Sequence, residues 1–445
     1  MKKRVYSATD IMHVDWQKIR EPRSDQEAVL GADVGKLEMR LVLRWKDGTF
    51  ERPWAVRNPG QIAVLVERIG ALSQAGHRLR VAMESTGTYG DALRQALADA
   101  KIEVHLVGGK RAHDYAEVFD GVPSQHDGKD AAVVAELCAL GKSAAWPWPA
   151  ADEQVSELMF LVDQMEAATR EKTVWVLRLE AMQARYWPEA SRVLKPGGAT
   201  MLRALAHYGG PGVLAADTQA ADRLQRWGTR WLDANKVRQI VESARATTGV
   251  RQGATDLSRV RWCAQKALDA HRLAGRCQAR LKRLGAAHAT IAAQGKIIGI
   301  PTACVLWRHL GDPRRYHCAA AYRKAMGLNL KERSSGKYQG KLKISKRGSG
   351  ACRRWLHLAA LRQIRDDRKV RLWYARKCGP AGKDKGRSGR LRVVTALVRK
   401  LALAMWVVGA AEGTFEVERL LGLPAQRRRP ANKTGRKGGV AIAAR

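Results

Sequence analysis

Four acidic residues in the first third of the chain have the types and spacing that could do chemistry. Asp33 lies within an apolar run, and Glu84 directly follows another. Asp127 and Asp130 are three residues apart, which places both on one face of a helix. Carboxylates brought together repel one another, and a bound divalent cation relieves the repulsion. Hard oxygen ligands select Mg²⁺ or Mn²⁺, and two such ions can hold the attacking and leaving oxygens of a phosphodiester displacement.

The same acidic residues have a purely structural interpretation. Asp127 and Asp130 stand where a helix begins, so they could cap its free N–H groups and complement its dipole. For either residue alone, we favour capping. The ordered set of four carboxylates at positions suited to one fold favours metal binding.

A second candidate for chemistry is a serine- and glycine-rich loop surrounded by cations, residues 327–348. A serine hydroxyl in this setting could attack a phosphodiester, and the phosphoserine would conserve the bond energy for religation. Basic Ser/Gly loops are common, so spacing alone favours a loop whose serines only donate hydrogen bonds to phosphate. The cations that could contact nucleic acid are Lys331, Arg333, Lys337, Lys341, Lys343, Lys346, Arg347, Arg353 and Arg354.

The elements that must position the carboxylates follow the order β-β-β-α-β-α-β-α. Apolar runs and turn signals predict strands over 28–34, 38–45, 49–56, 79–83 and 102–107, and helices over 61–75, 89–100 and 129–140. A hairpin sheet followed by alternating helices and strands gives a mixed five-stranded sheet with helices on its faces. The RNase-H-like fold has this connectivity. Its first and fourth strands are adjacent, so Asp33 and Glu84 are predicted to converge.

The rest of the chain is predicted to be mostly helical. A Trp-Pro-Trp-Pro run at 146–149 marks a domain boundary, and long amphipathic stretches follow over 153–186, 217–247 and 255–293. The predicted divisions are an N-terminal arm (1–27), the α/β domain (28–150), a helical or coiled-coil region (151–293), a serine-bearing domain (294–412) and a basic tail (413–445). We expect the helical middle to join domains or protomers.

Seven of the fourteen tryptophans lie between Trp146 and Trp262. Such rings could stack on unpaired bases. At helical spacing they more often pack between helices, and we favour packing.

The bulk composition points to a polyanionic partner. Eighty Lys and Arg against 42 Asp and Glu leave a net charge of +38, which nucleic acid would neutralise. A basic binder of ribosomes or membrane surfaces would be short or of low complexity, which this chain of 445 residues is not. Seven unclustered cysteines argue against a zinc site and for a reducing compartment. Without an apolar signal segment or a run long enough to span a bilayer, we expect a cytoplasmic protein with no membrane partner.

In motif order the chain resembles the DEDD-type transposases of the insertion-sequence one-ten family, the bridge-RNA-guided recombinases. The resemblance covers about 28–150 and 294–410. It includes GADVGK at 31–36, ESTGTY at 84–89, DGKDA at 127–131, IIGI at 297–300, GL at 327–328, SG at 335–336, SKRG at 345–348, RRWL at 353–356 and RKLA at 399–402.

This resemblance implies a specific set of roles. Asp33, Glu84, Asp127 and Asp130 would be the metal-binding carboxylates of a RuvC-like domain, similar to Holliday-junction resolvases. Ser335 would be the nucleophile that links to DNA, with Ser334 beside it. The carboxylates of one protomer would meet the serine of another, which implies a homodimer or homotetramer. A structured non-coding guide RNA would pair with donor and target double-stranded DNA.

Two other functions stay open on the sequence. A junction-resolving nuclease of RuvC-like type would use metal-activated water instead of a serine. A non-catalytic RNA- or DNA-binding protein would keep the fold, and only salt would tune its affinity.

Overall fold

The computed structural model describes residues 7–21, 27–85, 87–122, 126–148, 152–332, 334–335, 338–340, 342–379, 386–410, 413 and 415–422. The chain divides into two compact units, one up to Ala151 and one from Asp152. The finer predicted divisions at 293 and 412 stay predictions. Residues 423–445 of the predicted basic tail and three of the predicted nucleic-acid contacts, Arg333, Lys337 and Lys341, lie outside the described residues.

The first unit is built on a mixed sheet in the order β1-β4-β3-β2-β5-β6-β7. Its strands are β1 (Thr9–Asp10), β2 (Glu27–Val34), β3 (Glu38–Trp45), β4 (Trp54–Arg57), β5 (Arg78–Glu84), β6 (Glu103–Val107) and β7 (Ala144–Ala145). β2 pairs antiparallel with β3 and parallel with β5, so a meander continues into parallel strands. The five central strands have the predicted order, which confirms the RNase-H-like fold class. β1 and β7 add two residues each at the edges.

Residues near the N-terminus belong to this sheet domain and do not form a separate arm. β1 pairs with β4, and α1 (Trp16–Arg20) follows it. Ile11, Trp16 and Ile19 are buried, and the Trp16 ring lies 4.7 Å from that of Trp54. The polar composition of the segment hides this sparse apolar spacing, which a helical turn brings onto one side.

Four further helices flank the sheet: α2 (Ile62–Gln74), α3 (Asp91–Asp99), α4 (Gly109–Asp120) and α5 (Asp127–Ala139). Helix α4 was missed by the predicted order. It begins at Gly109, directly after Gly108, and buries only Ala112 fully, so its sequence lacks a strong apolar stripe.

The second unit is mainly helical. Its helices are α6 (Glu153–Tyr186), α7 (Ala190–Val193), α8 (Ala199–Tyr208), α9 (Pro211–Ala216), α10 (Ala220–Gly228), α11 (Ala234–Arg245), α12 (Ala254–Ala287), α13 (Ala289–Ile298), α14 (Ile300–Leu310), α15 (Ala319–Ala325), α16 (Gly350–Asp366), α17 (Arg368–Cys378), α18 (Gly386–Ala410) and α19 (Val417–Leu421). Its short strands are β8 (Leu330–Lys331), β9 (Ser334–Ser335), β10 (Tyr338–Gln339) and β11 (Lys343–Ile344).

Two 34-residue helices, α6 and α12, pack antiparallel along their length. Glu157 pairs with Arg280 at 2.7 Å near one end, and the Tyr186 hydroxyl donates to Asp256 at 2.9 Å near the other. The predicted single helix over 217–247 is interrupted because Thr229 adopts a φ of 54°. A helix cannot continue through that left-handed conformation.

The second unit has two hydrophobic cores. One lies among α6 to α12, and the other joins the first half of α6 and the end of α12 to the helices that follow. In this second core, the Glu166 carboxylate of α6 accepts hydrogen bonds from Arg354 at 2.6 Å and from the Trp355 indole at 3.1 Å. The side chain of His309 also lies 3.1 Å from Glu166.

Residues 389–410 of α18 are apolar and long enough to cross a membrane by length and composition alone. Leu397, Leu401 and Met405 of this helix are buried in the second core. A core helix of a helical domain passes the same test of length and composition, so α18 is accounted for by packing.

Candidate functional site: an acidic cluster and a serine hairpin

The sheet places Asp33 and Glu84 side by side. Ala32 of β2 is paired with Met83 of β5 in parallel register, and each carboxylate is the next residue of its strand. Residues in register on neighbouring parallel strands point to the same side of a sheet. Both side chains therefore extend from one face at the carboxyl ends of β2 and β5.

Helix α5 reaches the same point because Gly31 has no side chain. A Cβ at Gly31 would lie 2.0 Å from the Ala131 carbonyl oxygen and 2.6 Å from the Ala135 nitrogen, so the helix backbone rests directly on β2. This close approach brings Asp127 and Asp130 to Asp33. One carboxylate oxygen from each of the three residues lies within 4.8 Å of the others, and we call these residues the acidic cluster.

The first turn of α5 is fixed by two residues that were not predicted. His126 caps the helix, and its Nδ1 accepts a hydrogen bond from the Gly128 N–H at 3.1 Å. The Lys129 side chain is fully buried, and its Nζ donates to Asp120 at 2.7 Å and to the Val122 carbonyl. A lysine between two aspartates looks solvent-exposed in sequence, so nothing in the pattern signals this burial.

The surroundings of the cluster raise the pKa values of Asp33 and Asp130. Burial, and then repulsion from Asp127 and Asp130, raise the pKa of Asp33 to about 6, although Arg40 opposes the shift. The pKa of Asp130 is raised by burial and by Asp127. Glu84 lies outside the three-residue group, but burial and the charges of Asp33 and Asp130 raise its pKa as well. Glu84 therefore shares the electrostatic environment of the cluster.

The donor set fits a divalent cation. Hard carboxylate oxygens stand close together at a cost in charge repulsion, and a bound cation would turn this repulsion into attraction. Asp33, Asp127 and Asp130 would hold the ion, with Glu84 alongside. The assignment of all four as ligands, and the choice of Mg²⁺ or Mn²⁺, stay predictions.

In its described residues, the predicted serine loop forms two antiparallel strand pairs, and we call the segment 330–344 the serine hairpin. β8 pairs with β11, and β9 pairs with β10. Ser335 is exposed, while the neighbouring Ser334 hydroxyl donates to Glu332 at 2.7 Å. Lys331 and Lys343 stand directly opposite each other. Like charges in that position destabilise a strand pair, and a bound anion would relieve this repulsion.

The other predicted nucleic-acid contacts differ in their surroundings. Lys346 and Arg347 are exposed beyond the hairpin. Arg353 donates to the carbonyls of Met326 and Gly348, both at 2.9 Å, and Arg354 pairs with Glu166. These two arginines thus hold the fold around the hairpin, and their contact with nucleic acid stays a prediction.

Comparisons with known families agree with this arrangement. Residues 30–188 match the family model for the transposase DEDD domain of the IS110 type, and residues 290–375 match that of the transposase IS116/IS110/IS902 family. The two matches occur in chain order and together span more than half of the chain. The chain is therefore a transposase, an enzyme class that acts on DNA. It belongs to the IS110-type transposases.

Among solved structures, the chain is similar to RuvC of T. thermophilus in complex with a Holliday junction substrate. The identity is 16%, the TM-score is 0.21, and the alignment covers 27% of this chain and 99% of that one. At this score the likeness adds nothing to the fold assignment, which rests on the strand order. No curated protein matches the chain.

Proposed function

We propose that this transposase cleaves and exchanges DNA strands under RNA guidance, with Ser335 as nucleophile and a Mg²⁺-binding site formed by Asp33, Glu84, Asp127 and Asp130. The observation that carries the proposal is the convergence of three carboxylates within 4.8 Å at the carboxyl end of β2, beside Glu84 at the end of β5. When bound, Mg²⁺ (or Mn²⁺) would supply charge stabilisation at phosphoryl oxygens. The protein's own part is to hold these carboxylates in place before substrate arrives.

The serine step would proceed by direct displacement at phosphorus. The Ser335 hydroxyl oxygen forms a bond to phosphorus and gives up its proton, while the bond to the leaving DNA oxygen breaks and that oxygen takes up a proton. The phosphoserine keeps the energy of the broken bond, so the reverse reaction rejoins DNA without ATP. Ser335 is favoured over Ser334 because it is the serine directly before glycine, the position of the nucleophile in the family that the chain resembles.

The proposed partners are donor and target double-stranded DNA, a structured guide RNA and further copies of the chain as a homodimer or homotetramer. The net charge of +38 supports polyanionic partners. We place the protein in the cytoplasm, where those partners are found.

A cleavage assay with end-labelled DNA in Mg²⁺ tests the serine role. Ser335→Ala is expected to abolish both cleavage and the covalent protein–DNA adduct, whereas Ser334→Ala keeps them. Asp33→Asn is expected to abolish both as well. If Ser335→Ala still cuts DNA but forms no adduct, the protein is a nuclease that uses water. If the wild type itself neither cuts DNA nor forms an adduct, and only salt changes its affinity, the protein is a non-catalytic binder.

Mixing the two inactive variants tests the assembly. If one copy supplies the carboxylates and another the serine, Ser335→Ala mixed with Asp33→Asn regains part of the activity. A mixture that stays inactive would mean that both groups come from the same copy.

A further inference from the structure

We propose that the exposed face of α12 around Trp262 binds single-stranded nucleic acid, with an unpaired base stacked against the Trp262 ring. Trp262 is 53% exposed, whereas Trp187, in the same unit, is 2% exposed. Packing between helices accounts for a buried tryptophan but not for one that leaves half of its surface in water. The exposed part of the ring is therefore open to a ligand.

The ring is held in place before any ligand binds. Trp262 meets Trp175 of α6 edge to face, with centroids 4.9 Å apart and an interplanar angle of 82°. The Arg178 guanidinium lies over Trp175, 4.6 Å from its centroid. An aromatic surface fixed by such neighbours loses little side-chain freedom when a base stacks on it.

Cations lie on both sides of this ring on the same helix face, together with Asp269, whose charge is paired with Arg272 at 3.3 Å. Arg259 precedes Trp262 by three residues and Lys266 follows it by four, which are the spacings of neighbours on a helix surface. Arg276, fourteen residues on, continues the face. Among the residues that the structure describes, none of these three cations forms an ion pair. The face from Arg259 to Arg276 is roughly 26 Å long at the helical rise per residue.

The charge of α12 selects the kind of ligand. The helix contains eight Lys and Arg against two Asp, an excess that repels a second copy of the same face. A polynucleotide single strand offers phosphates to the cations and an open base to the ring, which is the combination used by proteins that bind single strands. A duplex offers phosphates alone, because its bases are already stacked. The source of the strand can be RNA or DNA.

The test measures binding of the full chain to labelled oligouridylate, oligodeoxythymidylate and a DNA duplex in EDTA. Without divalent cations the proposed catalytic site is idle, so the result is independent of the proposed function. Trp262→Leu is expected to weaken single-strand binding about tenfold, while Trp262→Phe, which keeps an aromatic ring, stays within about threefold of the wild type. Duplex binding is expected to change less than twofold. Circular dichroism and melting temperature establish that each variant is folded.

The matched control is Phe160→Leu. Phe160 is an aromatic ring on α6 with a similar exposure, but its helix neighbours Glu157 and Asp163 are paired with Arg280 and Arg308, so those cations are already neutralised and Phe160→Leu is expected to leave binding unchanged. Replacing Arg259 and Lys266 with glutamine is expected to lower the salt dependence of single-strand binding by about 1.4 in slope.

Loss with oligouridylate alone would identify RNA as the ligand, and loss with oligodeoxythymidylate alone would identify DNA. Equal losses for Trp262→Leu and Phe160→Leu, unchanged binding by Trp262→Leu, or a loss confined to the duplex would overturn the proposal. It would also be overturned if Trp262→Leu dissociated an oligomer in light scattering, because the face would then be an interface between copies.

Discussion

The acidic cluster and the serine hairpin are built in opposite ways. The cluster stands on long paired strands and on a helix whose backbone touches the sheet at Gly31. The hairpin consists of two-residue strand pairs, and its serines and paired lysines are exposed. One site is fixed by a core, while the other is presented to solvent.

This difference indicates what each site requires. A carboxylate cluster must hold repelling charges together without a ligand, so the packing of the first unit has to supply the energy. A serine that attacks DNA needs access and a cationic setting, which an exposed hairpin provides with little packing. Substitutions in the acidic cluster should therefore change the stability of the protein, and substitutions in the serine hairpin should change its nucleic-acid binding.

The largest effect is expected at Gly31. In Gly31→Val, the side chain would collide with the Ala131 carbonyl and push α5 off β2, at a cost of about 4 kcal/mol or more. Urea unfolding and Mn²⁺ titration measure the loss. The control is Gly70→Ala in α2, where nothing lies within 4 Å of the new methyl group and stability should rise slightly. If Gly31→Val kept its stability and its Mn²⁺ binding, the contact of α5 with β2 would not be what holds the acidic cluster in place.

The second largest loss of stability is expected when the buried Lys129 is replaced. Lys129→Met leaves the partly buried Asp120 carboxylate facing a neutral side chain and removes the bond to Val122, at a cost of about 3 kcal/mol. Lys110→Met, which breaks an exposed pair with Asp114, should cost about 0.5 kcal/mol. Denaturant unfolding compares the two. An equal loss of unfolding free energy in the two variants would show that the buried Lys129–Asp120 pair stabilises the protein no more than the exposed pair does.

The pH dependence of stability sharpens the comparison further. Because the pKa of Asp33 is raised to about 6, the folded state holds this proton more tightly than the unfolded state, where the pKa is near 3.8. Stability therefore falls as pH rises through this interval. In EDTA above pH 7, Asp33→Asn should be more stable than the wild type by about 2–3 kcal/mol, and below about pH 3 the two should be alike.

Melting curves at several pH values measure that difference. Added Mn²⁺ should then stabilise the wild type more than Asp33→Asn, because an ion that binds only the folded state raises its stability. If the melting temperatures of the two proteins changed in parallel with pH, the raised pKa of Asp33 would not be the cause of the pH dependence.

The smallest stability change is expected in the serine hairpin. Lys343→Glu replaces a like-charged cross-strand pair with an attractive one opposite Lys331, a gain of about 0.5 kcal/mol. Nucleic-acid affinity should fall at the same time, with a weaker salt dependence. Melting and fluorescence anisotropy test the two effects separately. If Lys343→Glu lowered stability and left nucleic-acid affinity unchanged, the hairpin would serve the fold rather than binding.

The sequence allowed the central sheet to be predicted because its strands carry strong apolar runs. β4 is shorter than predicted: Pro53 cannot donate to a strand partner, and the regular pairing begins only at Trp54. The serine hairpin was predicted as a loop because two-residue strands are too short to show an alternating pattern. The convergence of the carboxylates follows from strand order, but the roles of Gly31 and Lys129 depend on contacts between distant segments.

The place of Glu166 limits how this enzyme can be recombined with its relatives. Its carboxylate serves Arg354, Trp355 and His309, yet it sits in the stretch matched by the first of the two family models. A chimaera joined just after that stretch would take Glu166 from one parent and Arg354, Trp355 and His309 from the other. A second parent without these three residues would leave the Glu166 carboxylate buried without its partners. Junctions placed ahead of Glu153 would keep donor and acceptor in the same parent.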